Sequence, residues 1–417
     1  MRFIHTADIH LDSPLTGLAA YPDAPAAQLR NATRDAFCAL VDRAIEEQID
    51  FMIIAGDLYD GDWRDHNTGI FFCREMGRLK RAEIPVFVLF GNHDAESEMT
   101  CKLDLPDNVH CFAANKPQSF TLEALRVVLH GQSFKHKETT DNLAAAYPPP
   151  VAGYYNIGVL HTALEGHAAH VSYAPCSRAE LQARGYQYWA LGHVHDFAQW
   201  DGASLIVFPG NLQGRHVRET GRRGAVLVEV DEQGHTALER IFIDVLRWEV
   251  VDIDASDCAT LLDVARLIGR AFEALLEIDS HVPRAVRVIV HGRSAAHGEL
   301  FGLESQLRHE VLARIASLDN TRLWLEKVKL ETQALLAAAA AGEHVDALGD
   351  LQEILREAEQ DPEFLHQLRS DLSAFTAKMP HELDALVPDL KALRAGDVQG
   401  LLAQIAPALL ARLAAPE

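Results

Sequence analysis

The chain has 417 residues, a length that predicts two or three domains rather than one. Apolar residues make up 48% of it and charged residues 24%, an ordinary composition for a soluble globular protein. Its formal net charge of -22 at pH 7 excludes binding to nucleic acid through bulk charge, so any such contact must use local basic patches or bound metal cations.

Three features bear on the compartment in which the protein works. No apolar run reaches the roughly 20 residues that a membrane-spanning helix needs. The residues from Met1 to Ala7 predict a buried strand rather than a signal peptide. The six cysteines are scattered without a CxxC pair, which indicates reduced thiols rather than disulfides. We therefore predict a cytoplasmic location.

Strands and helices alternate in the N-terminal part of the chain. Residues 3–8 predict a short strand, residues 26–48 a helix, and residues 50–55 a second strand. A helix through Phe71 then leads to an apolar strand over residues 84–90. Because these strands are nearly all apolar, the alternation indicates an α/β fold in which helices cover a sheet.

Shorter strands separated by turn residues follow from about residue 108 onwards. They are predicted over residues 119–122, 126–130, 154–161, 188–191, 204–208 and 225–230. We expect these strands to form a second sheet that packs on the first.

The pattern changes again near Trp248. A strand over residues 250–253, a helix over residues 259–276 and a strand over residues 285–290 predict a small α/β unit. Beyond Gly302 we predict mostly helix. The C-terminal helices carry an apolar stripe made of Leu401, Leu402, Ile405, Leu409, Leu410 and Leu413. This stripe could dock on a partner helix or coiled coil, or pack on the chain's own small α/β unit.

Seven polar residues lie at the ends of the predicted strands or just beyond them. They are Asp8, His10, Asp57, Asn92, His161, His193 and His195. Two carboxylates, one amide and four imidazoles suit Mn, Fe or Zn better than Ca or Mg. Seven ligands are too many for one tetrahedral ion, and they are about right for two ions that share a bridging carboxylate. Such a pair of ions suits displacement reactions at phosphorus.

Each of these motifs has an ordinary explanation when it is taken alone. Asp8-x-His10 is more often a solvated turn, and an isolated His161 would be a satisfied buried histidine. Asp57, with Asp60 three residues later, is as well explained by helix capping. The occurrence of all the motifs in this order favours a dinuclear metal site.

Together these motifs resemble those of the calcineurin-like metallophosphoesterase superfamily. The resemblance rests on Asp8-x-His10, Gly56-Asp57-x-x-Asp60, Gly91-Asn92-His93-Asp94, His161 and Gly192-His193-x-His195. It implies an α/β metallophosphoesterase fold, in which two packed mixed β-sheets are flanked by helices. It also implies two divalent metal ions as cofactors, with Mn²⁺ expected ahead of Fe or Zn.

The resemblance also implies a role for each residue. The first ion would be held by Asp8, His10, Asp57 and His195, and the second by Asp57, Asn92, His161 and His193. In this scheme Asp57 bridges the two ions. His93 would be the catalytic general acid or transition-state stabiliser, and Asp60 would orient its imidazole.

Two further stretches resemble one branch of the superfamily, the SbcD-like DNA repair exonucleases, and especially the YhaO-type group. They run from His5 to Pro14 and from Pro209 to His216. That branch implies a metal-dependent DNA exonuclease or endonuclease subunit that acts in double-strand-break repair with an SMC-like ATPase of the SbcC type. Its members carry a small α/β capping domain, and they often dimerise near the nuclease site, so a homodimer is one expected assembly.

These implications lead to a three-part domain division. We predict a metallophosphoesterase (nuclease) domain over residues 1–247, an α/β capping domain over residues 248–332 and a helical partner-docking region over residues 333–417.

A basic cluster follows the last metal motif. Its members, predicted to bind DNA, are Arg215, His216, Arg218, Arg222 and Arg223. Guanidinium groups beside a dinuclear site suit contacts to a phosphate backbone. The alternative is a hairpin whose arginines pair with nearby carboxylates such as Glu219.

Two other functions stay open at this point. One is a phosphatase or phosphodiesterase for small nucleotides or phosphoproteins, which the basic cluster disfavours. The other is a non-catalytic scaffold that recruits a partner through its C-terminal helices, which the intact ligand set disfavours.

Overall fold

The structure is a computed structural model that describes residues 1–15, 26–60, 66–96, 104–164, 173–278, 281–319, 321–335, 345–380 and 388–402, together with residues 405 and 409. The chain divides into two compact units. One comprises Met1–Glu249 with His281–Ala285, and the other comprises Val250–Ser280 with Val286–Glu417. The domain boundaries predicted at residues 247 and 332 stay predictions.

Within the described residues, the first unit contains two six-stranded mixed sheets. Its strands are β1 (Arg2–Thr6), β2 (Phe51–Ala55), β3 (Val86–Leu89), β4 (Val109–Cys111), β5 (Gln118–Leu122), β6 (Val127–Gly131), β7 (Tyr155–His161), β8 (Tyr188–Gly192), β9 (Ala198–Trp200), β10 (Leu205–Phe208), β11 (Gly224–Val230) and β12 (Thr236–Phe242). The first sheet has the order β12-β11-β1-β2-β3-β4, and the second has the order β5-β6-β7-β8-β10-β9. The predicted fold class is therefore confirmed.

Parallel strands occupy the middle of both sheets. In the first sheet β1, β2, β3 and β4 are parallel neighbours. In the second sheet β6, β7, β8 and β10 are parallel neighbours. All residues of β2 and β3 are buried and apolar, as expected for strands covered on both faces. Because the strands are parallel, their carboxyl ends meet at one edge of each sheet, where open α/β folds keep their sites.

The two sheets pack face to face through apolar side chains. Phe3 and Phe51 of the first sheet stack at 4.8 Å between ring centroids, and Tyr188 of the second sheet meets Phe3 edge to face at 5.4 Å. Ile157 and Val207 of the second sheet belong to the same fully buried cluster. This interior holds the edges of the two sheets beside each other.

Helices cover the outer faces of the first unit. They are α1 (Ala26–Glu46), α2 (His66–Arg81) and α3 (Arg178–Ala183). Phe37 and Met76 pack into one core with Met52 of β2, so α1 and α2 lie on the first sheet. Leu181 of α3 packs with Trp189 on the outer face of the second sheet.

The second unit is built around a three-stranded sheet with the order β13-β14-β15. Its elements are β13 (Arg247–Asp254), α4 (Leu261–Glu277), β14 (Arg284–Ser294), α5 (His297–Leu300), α6 (Glu304–Leu318), β15 (Leu323–Ala334), α7 (Val345–Gln360), α8 (Pro362–Thr376) and α9 (Pro388–Arg394). Helix α4 begins with a capping box in which Thr260 and Asp263 bond each other's backbone N–H. Val264 and Phe272 of this helix are fully buried in the core of the unit.

One prediction about strands was wrong, and one was incomplete. The segment over residues 225–230 does not join the second sheet, because β11 pairs antiparallel with β1 of the first sheet, with Phe3 opposite Val228. The chain beyond Gly302 is mostly helical, as predicted, but it also contains a strand that was not predicted, β15, from Leu323 to Ala334. The alternation of buried and half-buried side chains at its start is the period-two pattern of a strand.

Three smaller predictions have the following outcomes. The described cysteines are free thiols, and Cys101 lies outside the described residues. Every helix that the structure describes is too short or too polar to cross a membrane. In the apolar stripe, Leu409 is exposed, whereas Leu410 and Leu413 lie outside the described residues.

Candidate metal centre

Three predicted ligands lie at the edge of the first sheet. Asp8, Asp57 and Asn92 follow β1, β2 and β3, each within a few residues of the strand end. The N–H of Asp8 donates to the carbonyl of Gly56, and the N–H of His10 donates to the carbonyl of Asp57, both at 3.0 Å. The loops after β1 and β2 therefore continue side by side beyond the sheet, which brings their side chains together.

The second sheet contributes the remaining predicted ligands. His161 is the last residue of β7 and pairs in register with Gly192, so His193 lies directly beyond it. The backbone N–H of His193 donates to both carboxylate oxygens of Asp8, at 2.9 and 3.1 Å. This contact fastens the loop after β8 to the loop after β1 and closes the site from two sides.

All seven predicted ligands meet in this place. One group consists of Asp8, His10 and His195, another of Asp57, His161 and His193, and the candidate ligand atoms of each group lie within 4.8 Å of one another. Asn92 belongs with the second group, since its Oδ1 lies 2.9 Å from Nε2 of His161.

Asp57 stands between the two groups. Its Oδ2 lies 3.9 Å from Nε2 of His10, in the first group, and 3.4 Å from Nε2 of His161, in the second. In the first group, Nε2 of His195 lies 3.4 Å from Nε2 of His10 and 3.8 Å from Oδ1 of Asp8. A carboxylate in this position can serve both groups, which is what a bridging ligand requires.

The backbone at the site is strained. Asp8, His10, Asp57 and His193 have φ angles of 49°, 46°, 51° and 104°, in the left-handed region that residues other than glycine rarely adopt. Each such conformation costs on the order of 1–3 kcal/mol and tends to occur where function requires it. Four of them at one place indicate that the backbone is bent in order to aim these side chains.

Two glycines allow the strands to approach this closely. A Cβ at Gly192 would collide with the carbonyl of Ala55 and the ring of His161. A Cβ at Gly91 would collide with the Asp57 carboxylate. The glycines of the two motifs are therefore needed for close packing around the ligands.

The buried charges of the site depend on one another. Burial raises the pKa of Asp8. Burial acts in the same direction on Asp57, but the neighbouring imidazoles, His161 first, outweigh it and hold the pKa of Asp57 well below its usual range. Burial lowers the pKa of His161, but Asp57 more than reverses this and raises it to about 9. A divalent cation can replace the proton of His161 as the positive charge beside Asp57, because such a cation binds ionised carboxylate and neutral imidazole. The donor set fits divalent metal ions.

His93 lies at the open side of the cluster. Its Nδ1 lies 3.3 Å from Oδ1 of Asp60, and its backbone N–H donates to Oδ1 of Asp57 at 3.0 Å. The side chain of His93 is 35% exposed, whereas that of His10, whose ring centroid lies 5.1 Å away, is 1% exposed. The Asp60 carboxylate raises the pKa of His93. The imidazole is thus accessible from outside and favours its protonated form.

Two carboxylates at the site received no role there in the sequence analysis. Oε1 of Glu219 lies 2.7 Å from Nδ1 of His195, and the other oxygen accepts the backbone N–H of Arg215, also at 2.7 Å. Asp94 accepts the backbone N–H groups of Leu58 and Tyr59, which joins its loop to the loop after β2, and it accepts the N–H of Gly91 within its own loop. Asp94 was visible as part of the Gly91 motif, but no local pattern connects Glu219 with His195.

The basic cluster is only partly exposed. Arg218 and Arg222 are exposed, and His216 is half-buried. Arg215 reaches into the site, with Nη2 3.2 Å from Oε1 of Glu219 and Nη1 3.8 Å from Oδ1 of Asp60.

Arg223 differs from the other members of the cluster. Its side chain is 7% exposed, and its guanidinium bonds Asp196 at 2.9 Å and the carbonyl of Thr220 at 2.8 Å. For Arg215, which pairs with Glu219, and for Arg223 the structure therefore corresponds to the alternative, in which the arginines pair with carboxylates of the protein.

Two family models match parts of this chain. Residues 1–197 match the family model of the calcineurin-like phosphoesterases, and residues 248–333 match that of the middle domain of metallophosphoesterase YhaO. A Bacillus subtilis protein described as an uncharacterized metallophosphoesterase YhaO is 32% identical over 296 residues, which are 70% of this chain and 72% of that protein.

More distant similarity extends to two archaeal proteins described as DNA double-strand break repair protein Mre11. The one from Methanopyrus kandleri is 23% identical over 383 residues, covering 86% of this chain and 76% of its own length. The one from Sulfurisphaera tokodaii is 26% identical over 236 residues, covering 54% of this chain and 60% of its own length.

Proposed function

The chain belongs to the calcineurin-like metallophosphoesterase family and carries a YhaO-type domain, and from this membership we propose that it cuts phosphodiester bonds in DNA as a two-metal exonuclease or endonuclease. The observation that carries the proposal is the meeting of seven predicted ligands from both sheets, with Oδ2 of Asp57 between the two groups. The metallophosphoesterase family itself indicates hydrolysis of phosphoesters. DNA as the substrate is the finer part of the proposal.

The ligand set would hold one ion through Asp8, His10, Asp57 and His195 and a second through Asp57, Asn92, His161 and His193. Divalent ions held there, with Mn²⁺ as our first choice, would neutralise charge on a phosphoryl group and supply a nucleophile from water at neutral pH. The chain's own side chains supply the remaining chemistry.

His93 is our candidate for the general acid. Asp60 faces its Nδ1 at 3.3 Å, which favours a proton on the imidazole and leaves Nε2 as the atom that can donate towards a leaving oxygen. The hydrogen bond from the N–H of His93 to Asp57 fixes the loop that carries the imidazole. The proposed role of Asp60 is thus to orient His93 and to hold its proton.

Several observations support DNA as the substrate. The exposed Arg218 and Arg222 lie on the segment that also supplies Glu219, the partner of His195. Arginine side chains there suit contacts to a phosphate backbone. The names of the Methanopyrus kandleri and Sulfurisphaera tokodaii relatives refer to DNA double-strand break repair. By the resemblance to the SbcD-like branch, we propose an SMC-like ATPase of the SbcC type as partner and a homodimer as one assembly. The cytoplasmic location predicted from the sequence stays a proposal.

The proposal is tested by incubating the purified full-length chain with end-labelled linear duplex DNA in the presence of Mn²⁺, Mg²⁺, Zn²⁺ or Fe²⁺. The same preparations are assayed with bis-p-nitrophenyl phosphate and with mononucleotides. We expect cleavage of DNA and of the diester, strongest with Mn²⁺, and slow turnover of mononucleotides. Efficient release of phosphate from mononucleotides, with intact DNA under every metal, would instead support the small-substrate phosphatase.

A further inference from the structure

In the first unit, a cavity of about 290 Å³ adjoins the metal cluster, the name we give to the seven candidate metal ligands described above. His195 is part of its wall, so the same residue borders both sites. The arginines that line the cavity are Arg222, Arg223 and Arg240. Arg240 lies on β12, outside the basic cluster that was recognised in the sequence.

The cavity concentrates positive charge in an acidic protein. Among the residues that line it, three are arginines and Asp196 is the one carboxylate. Its side chain is 80% exposed, and its Oδ1 lies 2.9 Å from Nη1 of Arg223. Three arginines and one aspartate leave a formal surplus of two positive charges at this place, whereas the whole chain carries -22.

Aromatic rings hold the outer arginines in position. The guanidinium carbon of Arg240 lies 4.4 Å from the ring centroid of Phe197 and 4.8 Å from that of Phe242. That of Arg222 lies 5.2 Å from the centroid of Phe242. A ring face orients a guanidinium but, unlike a carboxylate, does not neutralise its charge. The N–H groups at the edge of the Arg240 plane stay suited to an anion.

The inner wall is fixed by polar contacts. Arg223 donates to Oδ1 of Asn211 at 3.1 Å and to the carbonyl of Thr220 at 2.8 Å. Arg240 is close enough for this charge to act on it, since its pKa is lowered first by burial and then by Arg223. The fold therefore holds like charges near each other, an arrangement that a bound anion would relieve.

We propose that this cavity binds a second phosphate group of the substrate chain, next to the phosphodiester that lies at the metal cluster. The inference rests on the proposed function and adds a substrate class to it, namely polynucleotides with at least two phosphodiesters. Guanidinium groups bind phosphate through paired N–H donors. Because Arg240 and Arg222 already cover the phenylalanine faces, the cavity recognises backbone rather than bases, and it carries no preference for sequence.

The test compares substrates that differ by one phosphate. A dinucleoside monophosphate has one phosphodiester, and a trinucleoside diphosphate of the same base has two. For the wild-type chain we expect kcat/KM to be about tenfold higher for the longer compound, as a charged hydrogen-bonded contact would give. In Arg240→Gln the ratio should fall to about one. Because each ratio is taken within one enzyme, a general change in catalysis cancels.

Arg178→Gln is the matched control. This exposed arginine also lies over an aromatic ring, 5.6 Å from the centroid of Trp200, but it does not line the cavity. The control should keep the wild-type ratio. An unchanged ratio in Arg240→Gln, or equal rates for the two compounds in the wild type, would overturn the inference while leaving the proposed function intact.

A second measurement separates failure of the cavity from failure of the nuclease. Binding of a fluorescein-labelled oligothymidylate is titrated in EDTA, where no metal-dependent cleavage occurs. Arg240→Gln should weaken binding at least fivefold, and Arg178→Gln should not change it. If the wild type cuts no substrate under any metal, the proposed function fails, and this titration still decides on the cavity. Equal affinity in all three proteins would reject the cavity as a phosphate site.

Discussion

The metal cluster of the first unit and the C-terminal helices of the second unit reverse the usual rule of burial in opposite ways. In the cluster, ionisable side chains are buried: Asp8 is 1% exposed and His161 is 0% exposed. In the helices α7 and α8, large apolar side chains are exposed: Ile354 by 59%, Phe364 by 42% and Phe375 by 58%. Buried polar groups and exposed apolar patches are the observations that most often mark a function.

The two regions differ in how much chemistry they define. In the cluster each candidate ligand lies at the end of a strand or just beyond it and contacts identified side chains. The arrangement therefore indicates the kind of ion and the kind of reaction. In the helices the marked residues are individual exposed apolar side chains, whose chemistry does not specify what covers them. A precise mechanism can therefore be tested in the first region, whereas in the second region the first question is whether a face is covered at all.

The largest effect is expected from removing the charge of Asp57, which stands between the two ligand groups. Asp57→Asn should lower hydrolysis of bis-p-nitrophenyl phosphate and of DNA by roughly 10³-fold or more, the upper end for one electrostatic group. Calorimetric titration with Mn²⁺ should show fewer bound ions. Asp201→Asn, in an exposed turn, is the control and should match the wild type. Near-normal turnover in Asp57→Asn would remove this residue from the site.

A somewhat smaller effect is expected at His93, the accessible imidazole of the cluster. His93→Gln should lower kcat for DNA by about 10²–10⁴-fold, the range for a general acid. The loss should be much smaller with bis-p-nitrophenyl phosphate, because p-nitrophenolate leaves without needing a proton. Metal binding should stay the same. Equal losses for both substrates would argue that His93 acts on charge and not on the leaving group.

Glu219 should affect the metal more than the chemistry, since it orients His195 through Nδ1. Glu219→Gln should weaken Mn²⁺ binding by about 10–100-fold, as is typical when the partner of a metal-binding histidine is lost. Turnover at saturating Mn²⁺ should largely recover. Glu239→Gln, an exposed carboxylate on β12, should leave affinity unchanged. Loss of turnover that excess Mn²⁺ cannot restore would contradict an orienting role.

The smallest effect is expected in the C-terminal helices. Phe375→Ser should change the free energy of unfolding by no more than about 0.5 kcal/mol, because the side chain is exposed. Leu390→Ala, at a buried position of α9, should cost about 2–5 kcal/mol. Urea denaturation followed by circular dichroism measures both. If Phe375→Ser is as destabilising as Leu390→Ala, the chain itself covers this face and no partner is needed there.

Much of the site was predictable because its residues follow strands whose pattern is local. The apolar runs before Asp8, Asp57 and Asn92 identify buried parallel strands, and parallel strands end at a common edge. The ligand types could then be read from the motifs. Their mutual distances could not, because these depend on the bends at Asp8 and His193 and on the packing of two sheets.

The sequence analysis failed where a strand or side chain contacts a partner that is not its neighbour in the sequence. The strand over residues 224–230 has the same apolar character as the strands of the second sheet, but its hydrogen bonds to residues 2–5 place it in the first. No residue close to this strand in the sequence indicates which of the two sheets it joins. The contact of Glu219 with His195 and the approach of Arg240 to Arg223 are of the same kind.

The amino-acid sequence by itself determined the strands that lead to the candidate ligands, the ligand types at their ends and the glycines of their motifs, because hydrophobic periodicity and side-chain chemistry are local properties. Only the tertiary structure decided which sheet each strand joins, that Asp57 stands between the two groups, and that Arg240 shares one cavity with Arg222 and Arg223. These outcomes depend on which surfaces fit each other between segments that are separate in the chain, and local preference carries no information about that fit.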